Sequence, residues 1–274
     1  MLISRRAAIK GMLVTTVGAV ASTAAYGFAL ERHRIGVTHA SLPVSGLPLR
    51  LDGLRIGFLT DVHHSRTVPA SDVTHAVNLV MAQRPDLVVL GGDYVTFGDR
   101  AFVGPVAELL APLRAPHGVF AVLGNHDDDR DMPAALSRHH IEVLNDVRTR
   151  LSVRGEGLEL AGVRFWTRRP QDVARVLSQA TDPVILFAHD PRRLAEASAL
   201  NVASVLSGHT HGGQVVLPGV GAVARRRFPV LAGLGSRGNT SIFVSRGIGT
   251  VYVPVRINCP PEVAILTLER RSQV

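Results

Sequence analysis

Apolar runs of strand length alternate with stretches of helical spacing through the first part of the chain. Residues 54–60 (LRIGFLT) form such a run and end at Asp61. Residues 70–83 place Val73, Val77 and Val80 on one face with Ala76 beside them, which predicts a helix. A second buried-strand run, 86–90, ends in Gly91-Gly92-Asp93, and 101–113 has helical spacing again. A third run, 118–123, ends in Gly124-Asn125-His126-Asp127. Residues 133–139 predict a short helix with Pro133 in its first turn, where a missing N–H costs little. Over 142–163 the pattern turns β-branched and alternating, broken by Gly155 and Gly157, which predicts a hairpin. Helical spacing returns at 171–179. Strand runs at 184–188 (VILFA) and 202–206 lead to His189 and to Gly208-His209-Thr210-His211. The tail offers strands at 214–217, 241–245 and 263–268, with a Gly- and Arg-rich loop over 219–238. Residues 31–53, with Pro43, Gly46, Pro48 and Gly53, read as a lead-in with one short edge strand.

Strand–helix alternation predicts an α/β fold with parallel strands, and the β-rich second half predicts a second sheet. Both are satisfied by a four-layer α-β-β-α sandwich of two mixed sheets flanked by helices. The expected division is 1–30 as an export signal or anchor, 31–53 as the lead-in and 54–274 as one catalytic domain.

Composition narrows the class. The chain has 274 residues, 46% hydrophobic and 19% charged, which is globular. A net charge of +8 favours anionic partners such as phosphate esters or acidic lipid surfaces. No block of alternating basic and aromatic residues marks a nucleic-acid groove, so no nucleic-acid partner is expected. Cys259 is the one cysteine, which excludes an intrachain disulfide and a C-x-x-C zinc site. It reads as a small packed residue beside Pro260 and Pro261.

The N-terminus reads as an address. Ser4-Arg5-Arg6 and Lys10 precede an uncharged stretch from residue 11 to residue 30. A paired-arginine head before an apolar run looks like a twin-arginine export signal. The stretch is also long enough to span a bilayer, so an uncleaved signal would serve as a membrane anchor. The expected location is the outer side of the cytoplasmic membrane or the periplasm, and the export machinery is an expected partner.

The polar residues that end the apolar runs carry the chemistry. Asp61, His63, Asp93, Asn125, His126, His189, His209 and His211 all follow such runs directly. Sites in open α/β sheets form at the carboxyl ends of strands, so these side chains are expected at one rim. Two carboxylates, an amide and several imidazoles would be costly to bury together uncompensated. Mixed oxygen and nitrogen donors without thiolate suit divalent or trivalent Mn, Fe or Zn. Asp93 is the natural bridge, since a carboxylate has lone pairs for two cations.

The ordered set Asp61-x-His63, Gly92-Asp93, Gly124-Asn125-His126-Asp127, His189 and Gly208-His209-Thr210-His211 resembles the calcineurin-like metallophosphoesterase superfamily. Asp61-Val62-His63-His64-Ser65, Ser245-Arg246-Gly247-Ile248-Gly249 and Asn258-Cys259-Pro260-Pro261-Glu262 look like its bacterial exported branch. The resemblance implies two metal ions, with Asp61, His63 and His211 on one and Asn125, His189 and His209 on the other. Asp93 would join them, and a hydroxide shared by both would attack phosphorus. His126 would stabilise or protonate the leaving oxygen, and Asp127 would orient His126. The implied activity is hydrolysis of phosphomonoesters or phosphodiesters, with lipid-linked or envelope phosphates as natural substrates. The alternative is a non-catalytic metal-binding or scaffold protein that keeps the fold.

Taken singly, these residues have ordinary readings: Asp61 or Asp127 could be a helix cap, and a lone His is commonly a satisfied hydrogen-bonder. The ordered set decides against that. His64 reads as a supporting donor or an exposed residue. His75, His117, His139 and His140 read as surface or packing. Gln214 reads as a substrate contact or a strand cap, Arg225-Arg226-Arg227 as a solvated run or a substrate or lipid contact, and Trp166 as a packed aromatic.

Overall fold

The computed structural model describes residues 5–167 and 169–271. Ser4 of the export motif lies outside them. Helix α1 (Arg5–Ala29) precedes β1 (Gly36–Val44) and β2 (Arg55–Leu59). Then come α2 (Ala70–Ala82), β3 (Leu87–Leu90), α3 (Val103–Leu110), β4 (Val119–Ala121) and α4 (Asp131–Ser137). The second half holds β5 (Glu142–Val143), β6 (Val147–Val153), β7 (Glu156–Val163), α5 (Pro170–Leu177), β8 (Val184–Ala188), α6 (Leu194–Ala199) and β9 (Ser204–Ser207). The chain closes with β10 (Val216–Leu217), β11 (Gly221–Ala222), β12 (Gly233–Arg237), β13 (Thr240–Val244) and β14 (Glu262–Arg270).

Among the described residues these strands form two six-stranded mixed sheets and a small β10–β11 hairpin. The first sheet runs β1-β14-β2-β3-β4-β5, the second β12-β13-β9-β8-β7-β6. Strands β2, β3 and β4 are mutually parallel, and so are β7, β8 and β9.

Side-chain alternation along each strand explains the layering. In β3, Leu87 and Val89 enter the core between the sheets, while Val88 and Leu90 enter the core under the helices. In β8, Ile185 and Phe187 face the other sheet, and Leu186 and Ala188 face outward. The buried apolar side chains accordingly fall into three clusters. One lies under α2, α3 and α4 and holds Val77, Val106 and Leu136. A second is shared by both sheets, with Phe58 and Phe243 meeting edge-on at 6.4 Å. The third, with Val173 and Ala197, lies under α5 and α6. This is the expected mixed α/β arrangement of two sheets flanked by helices.

Three segments differ from the sequence reading. The 31–53 segment carries a nine-residue strand, β1, paired in parallel with β14 along its whole length, so the sheet body starts before residue 54. The 219–238 stretch includes β11 and the edge strand β12, the latter antiparallel to β13. Helix α6 has only six residues, too short for a helical period to show.

Candidate metal centre

The parallel strands of both sheets end at the same rim, and the expected residues converge there. Asp61 and His63 follow β2, Asp93 follows β3, Asn125 and His126 follow β4, His189 follows β8, and His209 and His211 follow β9. Donor atoms of Asp61, His63 and His211 form one compact group, and those of Asp93, His189 and His209 form another. Within the first, His63 Nε2 lies 3.2 Å from His211 Nε2, which is 3.4 Å from Asp61 Oδ1. The two groups touch at Asp93, whose Oδ2 lies 3.5 Å from His63 Nε2 and 3.1 Å from His189 Nε2. The other oxygen, Asp93 Oδ1, accepts the His126 main-chain N–H at 2.8 Å.

The backbone is bent to aim these groups. Asp61, His63, Asp93, His209 and His211 all have φ between 49° and 69°, the left-handed region that side chains other than glycine usually avoid. Their conformation is held by loop hydrogen bonds, including Asp61 N to Gly92 O and His63 N to Asp93 O, both at 2.9 Å. Strain of this kind concentrates at functional sites. Two glycines make room. A Cβ on Gly124 would collide with the Asp93 carboxylate, and one on Gly208 with the carboxylate of Asp61.

The electrostatics fit cations. Burial pushes the Asp61 carboxyl up to about 6, against the pull of His189. Burial pushes His63 and His209 down to about 4 and His211 well below its ordinary value, so these rings are neutral at pH 7. Burial also opposes charge on His189, but the Asp93 carboxylate overrides it and raises that ring to about 10. Asp93 is itself held well below the usual carboxylate range despite burial, because His189 and His63 face it. The protein's own groups therefore neutralise Asp93 with a proton on His189.

A metal ion fits the same place. His189 Nδ1 lies 2.7 Å from Gly91 O, so it donates there and leaves Nε2 as a lone pair in the neutral ring. His189 Nε2 and the amide oxygen Asn125 Oδ1 are buried without a hydrogen-bond partner, His189 Nε2 lacking hydrogen-bond geometry toward Asp93. An orphaned buried acceptor costs about 1–3 kcal/mol, which a ligand bond would recover. Two donors bound at about 2.1 Å to one tetrahedral ion stand about 3.4 Å apart, which is the spacing seen here.

His126 is set differently. Its Nδ1 accepts the Phe97 main-chain N–H at 2.9 Å, and its ring centroid lies 5.0 Å from that of His63. Burial lowers its pKa, so the ring is neutral and carries its proton on Nε2. The Asp127 carboxylate, expected to orient His126, is directed to main-chain N–H groups. Its Oδ2 accepts N–H bonds from Asp93 and Gly124, and its Oδ1 one from Tyr94, so it braces the loops that carry the candidate ligands. Burial, reinforced by Asp93, pushes its carboxyl up to about 7.

Arg256 and Phe165, beside the site, escaped the sequence reading. Arg256 is fully buried and donates to the carbonyls of Arg246, Gly247, Gly249 and Cys259. Phe165 packs its ring 5.3 Å from His209, and Trp166, 51% exposed, meets the Phe165 ring edge-on at 4.9 Å. His64 turns away from the centre, with Nδ1 on Val68 O and its ring edge-on to Phe102. The Gln214 side chain hydrogen-bonds the main chain of Val251 and Val253. Cys259 is buried as expected, with Sγ 3.2 Å from His211 O.

Comparison with known proteins identifies the family. Residues 54–213 match the calcineurin-like phosphoesterase family. The chain is 32% identical to Phosphodiesterase YaeI of Escherichia coli, with 97% of this chain and 100% of that one aligned. It is 30% identical to the uncharacterized metallophosphoesterase YkuE of Bacillus subtilis, over 97% and 98% of the two chains. It is also 29% identical to a zebrafish (Danio rerio) transmembrane protein with a metallophosphoesterase domain, spanning 97% of this chain and 64% of that one. The chain therefore belongs to the calcineurin-like phosphoesterase family and is a metallophosphoesterase, a hydrolase of phosphoric ester bonds.

Proposed function

We propose that the chain hydrolyses phosphate esters with a dinuclear metal centre on the outer side of a cytoplasmic membrane. The observation that carries this reading is the meeting of the two donor groups at Asp93 Oδ2. Asp61, His63 and His211 would hold one ion, Asn125, His189 and His209 the other, and Asp93 both. The bound ions, Mn, Fe or Zn, would supply a nucleophilic water at neutral pH and positive charge for the phosphoryl oxygens. The chain's own residues do the rest. His189 is fixed by Gly91 O with its lone pair inward. His126, aimed by Phe97 N–H, presents Nε2–H as the proton or hydrogen-bond donor to the leaving oxygen. Asp127 keeps the loops after β3 and β4 in register.

The N-terminal segment supports export and anchoring. Arg5 and Arg6 open α1, and an 18-residue window within Lys10–His33 has a mean hydropathy of 1.5 and the length to cross a bilayer. In this reading, residues 1–30 are a twin-arginine signal retained as an anchor, and the substrate is an envelope or lipid-linked phosphate. Elemental analysis of protein purified from the membrane, paired with turnover of an aryl monoester and an aryl diester, tests it. Two ions per chain and hydrolysis of either ester are expected. Metal-loaded protein inert on both would sink it.

A further inference from the structure

Beside the metal centre runs a groove of about 560 Å³ between residues 65–67, 96–99 and 250–254. One of its lining residues touches the imidazole of the metal centre: Phe97 holds His126 Nδ1 with its N–H and lays its ring 5.0 Å from the His126 ring. The groove's outer end is the root of α1. Thr67 O accepts from Arg32 Nη1 at 2.7 Å, and Gly27 O accepts from Arg256 N at 3.2 Å. Gly27 itself sits too close to Val255 and Arg256 to carry a side chain. Glu31, just past the helix, accepts the Cys259 N–H at 2.7 Å. The apolar helix and the catalytic groove are thus fastened to the same loop.

The groove's rim is apolar and turned outward. Phe97 is 66% exposed, Tyr252 81% and Val253 56%, with the Phe97 and Tyr252 rings 5.7 Å apart. Gln214 fixes this rim through Val251 and Val253, so the exposure is built in. The last turns of α1 continue the same character with exposed Tyr26, Phe28 and Leu30. Arg34 and Arg66 add exposed positive charge nearby. Aromatic side chains flanked by arginine at the end of an apolar helix are the composition of a membrane–water interface. An exposed apolar patch rimmed by polar residues marks a surface that is covered in use.

We infer that this face docks on the bilayer from which α1 emerges, and that the groove receives the apolar part of a lipid phosphate ester whose phosphate reaches the metal centre. The inference rests on the phosphoesterase reading above and specifies its substrate class. In the reaction, water's oxygen forms a new bond to phosphorus and the ester P–O bond breaks. The leaving oxygen keeps the bonding pair and takes up a proton, so one water is consumed per ester cleaved.

The test uses the full chain, loaded with Mn(II), in vesicles of phosphatidylethanolamine and phosphatidylglycerol. Two probes release the same 4-nitrophenolate: soluble bis(4-nitrophenyl) phosphate and dioleoylphosphatidyl-4-nitrophenol in the vesicle. The ratio of lipid to soluble turnover should fall about tenfold or more in Tyr252→Ser/Val253→Ser, the effect of removing large apolar contacts from the docked face. An unchanged ratio overturns the inference. Cleavage of the soluble ester alone by the unaltered chain also overturns it while leaving the phosphoesterase reading intact. Cleavage of neither ester overturns that reading instead. A nitroxide on Tyr252→Cys, with Cys259 too buried to compete, gives a second readout without catalysis. It should meet oxygen more readily than a water-soluble nickel chelate, and a water-like response overturns the docking.

Discussion

The main-chain N–H of Phe97 donates to Nδ1 of His126 at 2.9 Å, so a loop after β3 sets the tautomer of an imidazole after β4. That bond leaves Nε2–H free to face a leaving group. His126→Ala should lower kcat by about 10²–10⁴-fold, the usual worth of a positioned proton donor. The metals should stay, because His126 touches Asp93 only through its main chain. Steady-state kinetics beside elemental analysis checks both halves. Loss of metal with loss of rate would instead make His126 a ligand.

Asp93 has the most to lose from a small change. Asp93→Asn keeps the shape but removes the charge that His63 and His189 face. Metal content is expected to drop from two ions per chain to one or none. The His126 N–H would keep an acceptor if the amide oxygen takes the Oδ1 position. Two ions retained in Asp93→Asn would remove the case for a shared carboxylate.

Proton release should report the metals entering. At pH 7 the metal-free His189, raised to about 10, is protonated, whereas a ligand must be neutral. Binding at pH 7 should therefore release a proton from His189, seen as a dependence of the calorimetric heat on buffer ionisation enthalpy. The raised pKa also has a sign for stability. Its contribution to the metal-free fold is complete below about 6.5 and is lost as pH rises through about 10. The melting temperature of metal-free protein should fall across that window on this account, and that of loaded protein should not. A flat metal-free profile would contradict the assigned proton.

Asp127 tests a different idea. Its two oxygens accept three main-chain N–H groups, from Asp93, Tyr94 and Gly124. In Asp127→Asn one acceptor becomes an NH₂ group facing a buried donor, at a cost of about 1–3 kcal/mol. Chemical denaturation should show that loss. The shape of the kcat–pH profile should be preserved, since His126 is aimed by Phe97. A profile displaced with no loss of stability would restore the direct orienting role.

How much of this was legible from residues alone follows from what each signal encodes. The strands that hold the ligands announce themselves, because both faces of β2, β3, β8 and β9 are buried and continuous apolar runs result. The candidate ligands and their order could be read because each stands at the end of such a run. The edge strands could not. β12 is glycine-rich, and β1 partners β14, more than two hundred residues later, so nothing local marks either pairing. Nor does sequence show that Asp61, His63, Asp93, His209 and His211 adopt left-handed backbone, since their own types only tolerate it. Adjacency in sequence suggested His126 as the partner of Asp127, whereas the turn directs its carboxylate to three N–H groups.

Arg256 was invisible for the same reason, and it carries the last prediction. It lies in an apolar stretch, Val253-Pro254-Val255-Arg256, yet its side chain is fully buried. Its guanidinium joins the carbonyls of Arg246, Gly247 and Gly249 to that of Cys259. The 246–249 loop in turn supports the first ligand: Ile248 N–H bonds Thr60 O at 3.1 Å and Gly249 N–H bonds Asp61 O at 2.7 Å. Burial lowers the Arg256 pKa, and it remains the cation at the end of this chain of contacts. Arg256→Met keeps much of the volume but strips several buried carbonyls of their donor. At about 1–3 kcal/mol for each acceptor left unpaired, at least about 3 kcal/mol of stability should be lost. Because the loop backs Asp61, metal affinity should weaken in the folded fraction as well, while Arg256→Lys should recover part of both. Thermal denaturation and metal titration of the two variants decide it. A stable Arg256→Met chain with unaltered metal affinity would show that the loop holds Asp61 without the guanidinium.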